Sequence, residues 1–305
     1  MAQGHPNESA IVLASEQESE PQLPPSSKST GETTTQACPT CAASSKAAGP
    51  PAWIYALGRV EPRFPRISVE KEFAQALGRE KTTDLTDRQA LQAALSKAEN
   101  RYLVRQLCWV MTIGGLETYI LLPRDPADIA MLVDTLRAAP EPSDLDCVVG
   151  ARGPIAPPEM CNGLMVPIVA FDKIYSFDRD SLIKAIPRSG KASAKDFEPK
   201  AAEVFESMTQ MRENAGATDG DRAVNYLAVR YPRIYEAAAE AFAKNQSLSA
   251  IDVRPSTLSG PRTLVDVIFS FRHRNTDVVE KQAVQVDATD EWLFLKKPLS
   301  PYYDF

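Results

Sequence analysis

The stretch Leu107-Cys-Trp-Val-Met-Thr-Ile-Gly-Gly-Leu-Glu-Thr-Tyr-Ile-Leu-Leu122 gives the clearest structural signal in this chain of 305 residues. Apolar side chains alternate with other residues up to Ile113, and an extended apolar pattern resumes at Leu116 after Gly114-Gly115. A period of two is typical of β-strands, and two adjacent glycines tolerate the left-handed conformations of a tight turn. The stretch therefore predicts a β-hairpin.

Further elements are predicted on both sides of this hairpin. Before it, a strand begins at Trp53 and ends near Pro62, and capping residues predict helices at 68–77 and 86–95. After it come a helix at 126–136, strands at 145–150 and 165–171, a helix at 179–186, a mobile polar loop at 187–195, and long helices at 197–214 and 221–245. Pro232 interrupts the last of these. Strands at 248–253, 264–272 and 278–286 suggest a terminal antiparallel sheet.

This order predicts an α+β fold, with mixed helices and mainly antiparallel strands in one compact body over residues 52–305. Residues 1–51 contain no aromatic residue and are rich in Ser, Thr, Pro, Glu and Gln. Such a segment cannot bury enough apolar surface to offset the entropy of ordering, which predicts a disordered arm.

Within that arm, Cys38-Pro-Thr-Cys41 has the spacing of half a zinc site, because thiolates two residues apart can face one tetrahedral ion. The other two ligands could come from a second chain or from Cys161 and another residue. Alternatively, the two cysteines form an exposed dithiol that binds no metal, and the protein has no cofactor.

Composition limits the functional class. A net charge of −6 with Lys and Arg interspersed among Asp and Glu gives no broad basic surface, which argues against a nucleic acid or a membrane as partner. No run of about 18 apolar residues is present, and the segment at 10–14 lacks a preceding cationic region. We expect a cytoplasmic protein in which Cys108, Cys147 and Cys161 are reduced thiols.

Catalytic constellations are absent from the sequence. His5 and His273 are the only histidines, so a histidine-rich metal centre cannot form within one chain. The nucleophile elbow of hydrolases, the dinucleotide fingerprint and the phosphate loop of nucleotide-triphosphate enzymes are all missing.

Two clusters are candidate binding residues. In Arg152-Gly-Pro-Ile-Ala-Pro-Pro-Glu159 the prolines stiffen a loop that could present Arg152 to a carboxylate and Glu159 to a cation or proton. Alternatively, both side chains form architectural ion pairs with each other or with Asp172 and Asp178. The second cluster surrounds a turn and consists of Arg59, Glu61 and Arg63.

Several blocks of sequence together resemble the C-terminal domain of the cyanobactin maturation proteases of the PatG and PatA types. The blocks are YALGRVEPRFP (55–65), SVEKEFA (68–74), RQLCW (105–109), GLETY (115–119), GPIAPPEMCNGL (153–164) and NYLAVRY (225–231). The segment SPYYD (300–304) fits the end of that domain. The resemblance runs from about residue 53 to the terminus.

The resemblance implies a place in ribosomal peptide modification, where this domain accompanies a subtilisin-like protease that cuts or macrocyclises a precursor peptide. The protease chemistry is not carried over, because these residues hold no protease module and no Asp-His-Ser triad. The leading hypothesis is a non-catalytic accessory module that binds a precursor peptide or the maturation protease, through an exposed strand edge or the proline-rich loop.

Two rival hypotheses stay open at this point. One is an enzyme of unknown reaction that uses Glu159 and Cys161, with or without zinc. The other is a scaffold that forms a homodimer.

Overall fold

The structure, a computed structural model, describes residues 52–76, 87–187, 194–211, 214–257 and 260–303. The predicted arm at 1–51, with Cys38 and Cys41, lies outside the described residues, as does most of the polar loop predicted at 187–195. The α+β class predicted from the sequence is confirmed: helices and two mainly antiparallel sheets form one body.

Nine strands run through the described residues: β1 Ala52–Arg63, β2 Cys108–Ile113, β3 Leu116–Pro123, β4 Asp144–Ile155, β5 Pro167–Asp178, β6 Gln246–Pro255, β7 Leu264–His273, β8 Val279–Asp287 and β9 Phe294–Pro301. The α-helices there are α1 Ile67–Ala76, α2 Asp87–Leu95, α3 Arg101–Gln106, α4 Ile129–Asp134, α5 Arg179–Ala185, α6 Ala194–Thr209, α7 Asp219–Arg230 and α8 Arg233–Ala243. None of the helices in this part of the chain is long and apolar enough to cross a membrane.

The first five strands close into a barrel in the order β1-β2-β3-β5-β4. Only the β3–β5 pair is parallel. Closure depends on β1, which pairs with β4 up to Gly58 and with β2 from Arg59 onward. At the crossover the strands approach so closely that a Cβ on Gly58 would collide with the carbonyl oxygen of Thr112. A glycine is therefore required where β1 changes partner.

The barrel interior is an apolar core to which the first four helices contribute. It combines strand residues with helical ones, and the most deeply buried members include Ile54, Ala56, Phe73, Leu95, Leu103, Met111, Leu121, Val148, Val169 and Phe171. Because α1 to α4 supply part of this core, the barrel and its helices stabilise each other.

A second core joins the outer face of β1 and β4 to α6, α7, α8 and the antiparallel sheet β6-β7-β8-β9. The predicted break at Pro232 is confirmed, since Tyr231 leaves the helical conformation and separates α7 from α8. The strand β9 was not predicted. Its sequence, FLKKPLSP, is mostly exposed and carries no alternation of apolar and polar residues.

The helices are attached to the barrel through a buried amide network. Asn225 donates to the carbonyl of Tyr55 at 2.9 Å and to Asn214 at 3.1 Å. The backbone N–H of Tyr55 in turn donates to the carbonyl of Gly216 at 2.9 Å. Gly216 has a φ of +68°, and a Cβ there would collide with β1. The NYLAVRY block thus has a structural role at this junction.

The prediction that Cys108 and Cys161 are reduced thiols is wrong. They form a disulfide, with Cα atoms 5.8 Å apart, and only Cys147 is free among the described cysteines. The bond fastens the segment 156–166, which connects β4 to β5 and is here called the cover segment. Through Ala156 and Cys161, the cover segment packs on Val110 and Ile120 and completes a small apolar cluster on the outer face of the barrel. The GPIAPPEMCNGL block is therefore a disulfide-fastened cover.

Candidate functional site

A groove of about 900 Å³ lies on the described surface. It lies between the part of β1 around Gly58, the hairpin turn from Thr112 to Thr118, the turn from Pro142 to Leu145, and the C-terminal end of α6 with the residues that follow it. A volume of this size lies within the range of ligand sites in proteins.

The groove has an apolar wall made of residues that are distant in sequence. Its members are Leu57, Ile113, Leu116, Leu145 and Met211. Leu116, directly after the Gly114-Gly115 turn, leaves 74% of its surface exposed. Because the two glycines add no side chains at the corner, this leucine stands open to a ligand.

Charged side chains at the rim of the groove are paired with each other. Arg179 contacts Asp180 and Glu206, each at 2.9 Å. Glu61 contacts Arg88 at 3.0 Å. Arg179, Glu206 and Glu61 thus already have partners of opposite sign and present little net charge to a ligand. Arg59, which also lines the groove, donates to backbone carbonyls instead.

Arg59 holds the wall of the groove in place. Its guanidinium donates to the carbonyl oxygens of Pro142 at 2.6 Å, Glu141 at 3.2 Å and Asp144 at 3.3 Å. These three bonds fasten β1 to the turn and to the first residue of β4, and the Glu141 carbonyl also accepts from the Asp144 N–H at 3.1 Å. Arg59 therefore positions the turn that lines the groove.

Behind this turn, the buried carboxylate of Asp146 ties β1 to β4 and β5. It accepts hydrogen bonds from the Val60 N–H at 2.8 Å and the Ser176 hydroxyl at 2.6 Å, with Arg137 at 3.5 Å. Burial raises the pKa of Asp146, although the two hydrogen bonds and Arg137 favour its ionised form. Asp146 thus holds β1, β4 and β5 together behind the groove.

The structure brings together only some of the predicted binding residues. Arg59 and Glu61 line the groove. Arg63 lies further along β1 and pairs with Glu117. Arg152 is opposite residue 52 in the register of β1 and β4, about 23 Å along the strand from Arg59.

Arg152 and Glu159 are both exposed, and neither forms an ion pair with any described residue. The architectural alternative placed them with Asp172 or Asp178. Instead Asp172 pairs with Arg124, and Asp178 accepts from the Ser143 hydroxyl. The two residues are therefore available on the surface, away from the groove.

The thiol chemistry considered for Cys161 is not available in this structure, because the residue is disulfide-bonded and buried. The free cysteine among the described residues, Cys147, has a thiol of low reactivity, since burial raises its pKa to about 12. Among the described residues, no three His, Cys, Asp or Glu side chains are arranged to hold a metal ion. Zinc at Cys38 and Cys41 stays a prediction.

A second titratable cluster lies between the barrel and the β8–β9 loop. Arg124 contacts Asp172 at 2.7 Å and Glu291 at 3.2 Å, and its guanidinium lies 5.5 Å from the ring centroid of Trp53. Burial, together with the neighbouring Asp172, raises the pKa of Glu291 to about 7, and Arg124 opposes that shift. The guanidinium of Arg124 thus pairs with the carboxyl groups of both Asp172 and Glu291.

No sequence pattern indicated that Leu57, Leu145 and Met211 line a groove, because they lie on separate elements that only the fold brings together. The exposure of Leu116 could have been predicted from its position directly after Gly114-Gly115. An apolar side chain directly after a two-glycine turn has little chance of burial within its own hairpin.

The comparisons with known proteins agree with this architecture. The family model described as PatG domain matches residues 53–253, more than half of the chain. A solved structure titled "PatG Domain of Unknown Function" is similar over 82% of this chain and 98% of its own length, with a TM-score of 0.67 and 18% sequence identity. At this identity the likeness shows the fold alone. Among curated proteins, no sequence match to this chain is found.

Proposed function

Because the chain belongs to the PatG domain family, we propose that it is a non-catalytic accessory module of ribosomal peptide modification that binds a precursor peptide in its groove. The observation that carries this proposal is the groove of about 900 Å³ with its exposed Leu116. The family relationship supports a role in peptide modification, and the size and apolar wall of the groove support a peptide ligand.

The chemistry of the groove favours an uncharged, apolar segment of that peptide. Its wall is apolar, and the rim charges of Arg179 and Glu61 are already neutralised by neighbouring side chains. A charged peptide segment would have to compete with these pairs, whereas an apolar side chain gains by leaving water. The exposed Arg63, Arg152 and Glu159 remain candidates for contacts with the maturation protease.

Fluorescence anisotropy with a labelled precursor peptide tests the proposal. Leu116→Ser removes an exposed groove side chain and leaves the core intact. We expect at least about tenfold weaker binding, since a leucine buried in a complex contributes roughly 1.5–3 kcal/mol.

Met165→Ser is the matched control, because Met165 is 61% exposed but does not line the groove. We expect this variant to bind like the original protein. Equal affinity of the Leu116→Ser variant and the original protein, or no binding by either, would contradict the proposal.

A further inference from the structure

We propose that the loop between β7 and β8 forms a second binding site, specific for a tetrahedral oxyanion of the phosphate type and independent of the groove. A cavity of about 370 Å³ lies at this loop. Its lining is polar and includes Arg272, His273, Arg274, Ser247 and Thr276.

The strands fix the positions of these side chains. Ser247 on β6 is directly opposite Arg272 on β7, so their side chains share one face of the sheet. The loop is closed by a hydrogen bond of 2.9 Å from the N–H of His273 to the carbonyl of Val278. Donors from two strands and one short loop therefore converge on the cavity.

Stacking orients the second arginine. The guanidinium of Arg274 lies 4.3 Å from the centroid of the Phe242 ring at the end of α8. A guanidinium that packs over an aromatic face keeps the N–H groups in its own plane free, so that they can bind an oxyanion. Arg274 is thus held in position before any ligand binds.

Neither Arg272 nor Arg274 has a carboxylate within ion-pair distance among the described residues. Elsewhere on the same sheet, Arg262 is paired with Asp287 at 3.0 Å. His273 adds a donor: its Nδ1 accepts a hydrogen bond of 3.3 Å from the N–H of Asn275, which places the proton of the neutral ring on Nε2.

This donor set fits a phosphate group better than a carboxylate. Two guanidinium groups and the hydroxyls of Ser247 and Thr276 offer more hydrogen bonds than two carboxylate oxygens can accept, and arginine binds phosphate in a bidentate manner. The carboxylate of Asp277 also lines the cavity and lowers the positive potential. We therefore expect a dissociation constant for inorganic phosphate on the order of 1 mM.

The test is a titration of the ¹⁵N-labelled full chain with inorganic phosphate at constant pH and ionic strength, followed by amide NMR. We expect saturable shifts of the amides of residues 272–277. Arg272→Gln and Arg274→Gln should each weaken binding by at least about tenfold, because each removes charge-assisted hydrogen bonds.

Arg254→Gln is the matched control, since it removes the same charge from an exposed position on β6 that does not line the cavity. We expect it to change the affinity less than about twofold. Sulfate and acetate form the comparison arms, and we expect sulfate to compete with phosphate and acetate to bind much more weakly. Absence of saturable shifts, an equal loss in the Arg254→Gln variant, or acetate binding as tightly as phosphate would each overturn the proposal.

Discussion

The Cys108–Cys161 disulfide makes the sharpest prediction about stability. The bond joins residues 53 positions apart, so it closes a long loop of the unfolded chain. Loss of this constraint is expected to lower the free energy of unfolding by about 4 kcal/mol on the chain-entropy relation for a loop of that length. The double variant Cys108→Ala/Cys161→Ala removes the bond and leaves small apolar side chains in the buried cluster.

Urea denaturation with and without a phosphine reductant measures this effect. The original protein should lose about 4 kcal/mol when reductant is present, and the double variant should show the lower value in both conditions. Cys147→Ala is the control, since Cys147 is equally buried but unpaired, and it should keep the full response to reductant. If reductant leaves the stability of the original protein unchanged, the reasoning about the disulfide is refuted.

Two further changes probe the junctions of the fold. Gly216→Ala should destabilise the protein by at least about 3 kcal/mol, because it adds a collision with β1 to the strain of a positive φ. Gly260 also has a positive φ but open space around it, so Gly260→Ala should cost only about 1 kcal/mol. Thermal or urea unfolding measures both costs. Similar costs for the two variants would show that the close approach at Gly216 is unimportant. The pKa of Glu291 is raised from an ordinary 4.5 to about 7. Between pH 4.5 and pH 7, the folded state therefore keeps a proton on Glu291 that the unfolded state has released. Stability should therefore be greatest below pH 4.5 as far as this group is concerned. As the pH rises through 7 it should fall by about 3 kcal/mol, or by roughly 2 kcal/mol once solvent screening is taken into account. Glu291→Gln should remove this contribution from the pH profile of unfolding, and a profile identical to that of the original protein would refute the assignment.

Local signals in the sequence predicted most of the elements of this fold, although not α3 or β9. The hairpin around Gly114-Gly115 and the break at Pro232 follow from residues within a few positions, and both are confirmed. Closure of the barrel is different in kind. It depends on β1 changing partner at Gly58, which is a matter of register between strands that are far apart in sequence.

Features that depend on distant residues were missed for the same reason. The spacing of Cys108 and Cys161 does not reveal their pairing, because only the fold brings the cover segment onto β2. The edge strand β9 was missed because exposed lysines and a proline are typical of edges and carry no apolar period. Arg59 and Glu61 could be predicted as binding residues because they lie close together in sequence. Met211 also lines the groove, but it is distant in sequence, so no local pattern relates it to them.

The central claim is that the groove receives an apolar segment of a precursor peptide, and methionine methyl NMR tests it most directly. Met211 lines the groove, whereas the exposed Met165 lies outside it. Titration of the methyl-labelled protein with the precursor peptide should shift the Met211 signal in a saturable manner and leave the Met165 signal unchanged. A peptide that binds without moving the Met211 signal, or that moves the Met165 signal instead, would contradict the account.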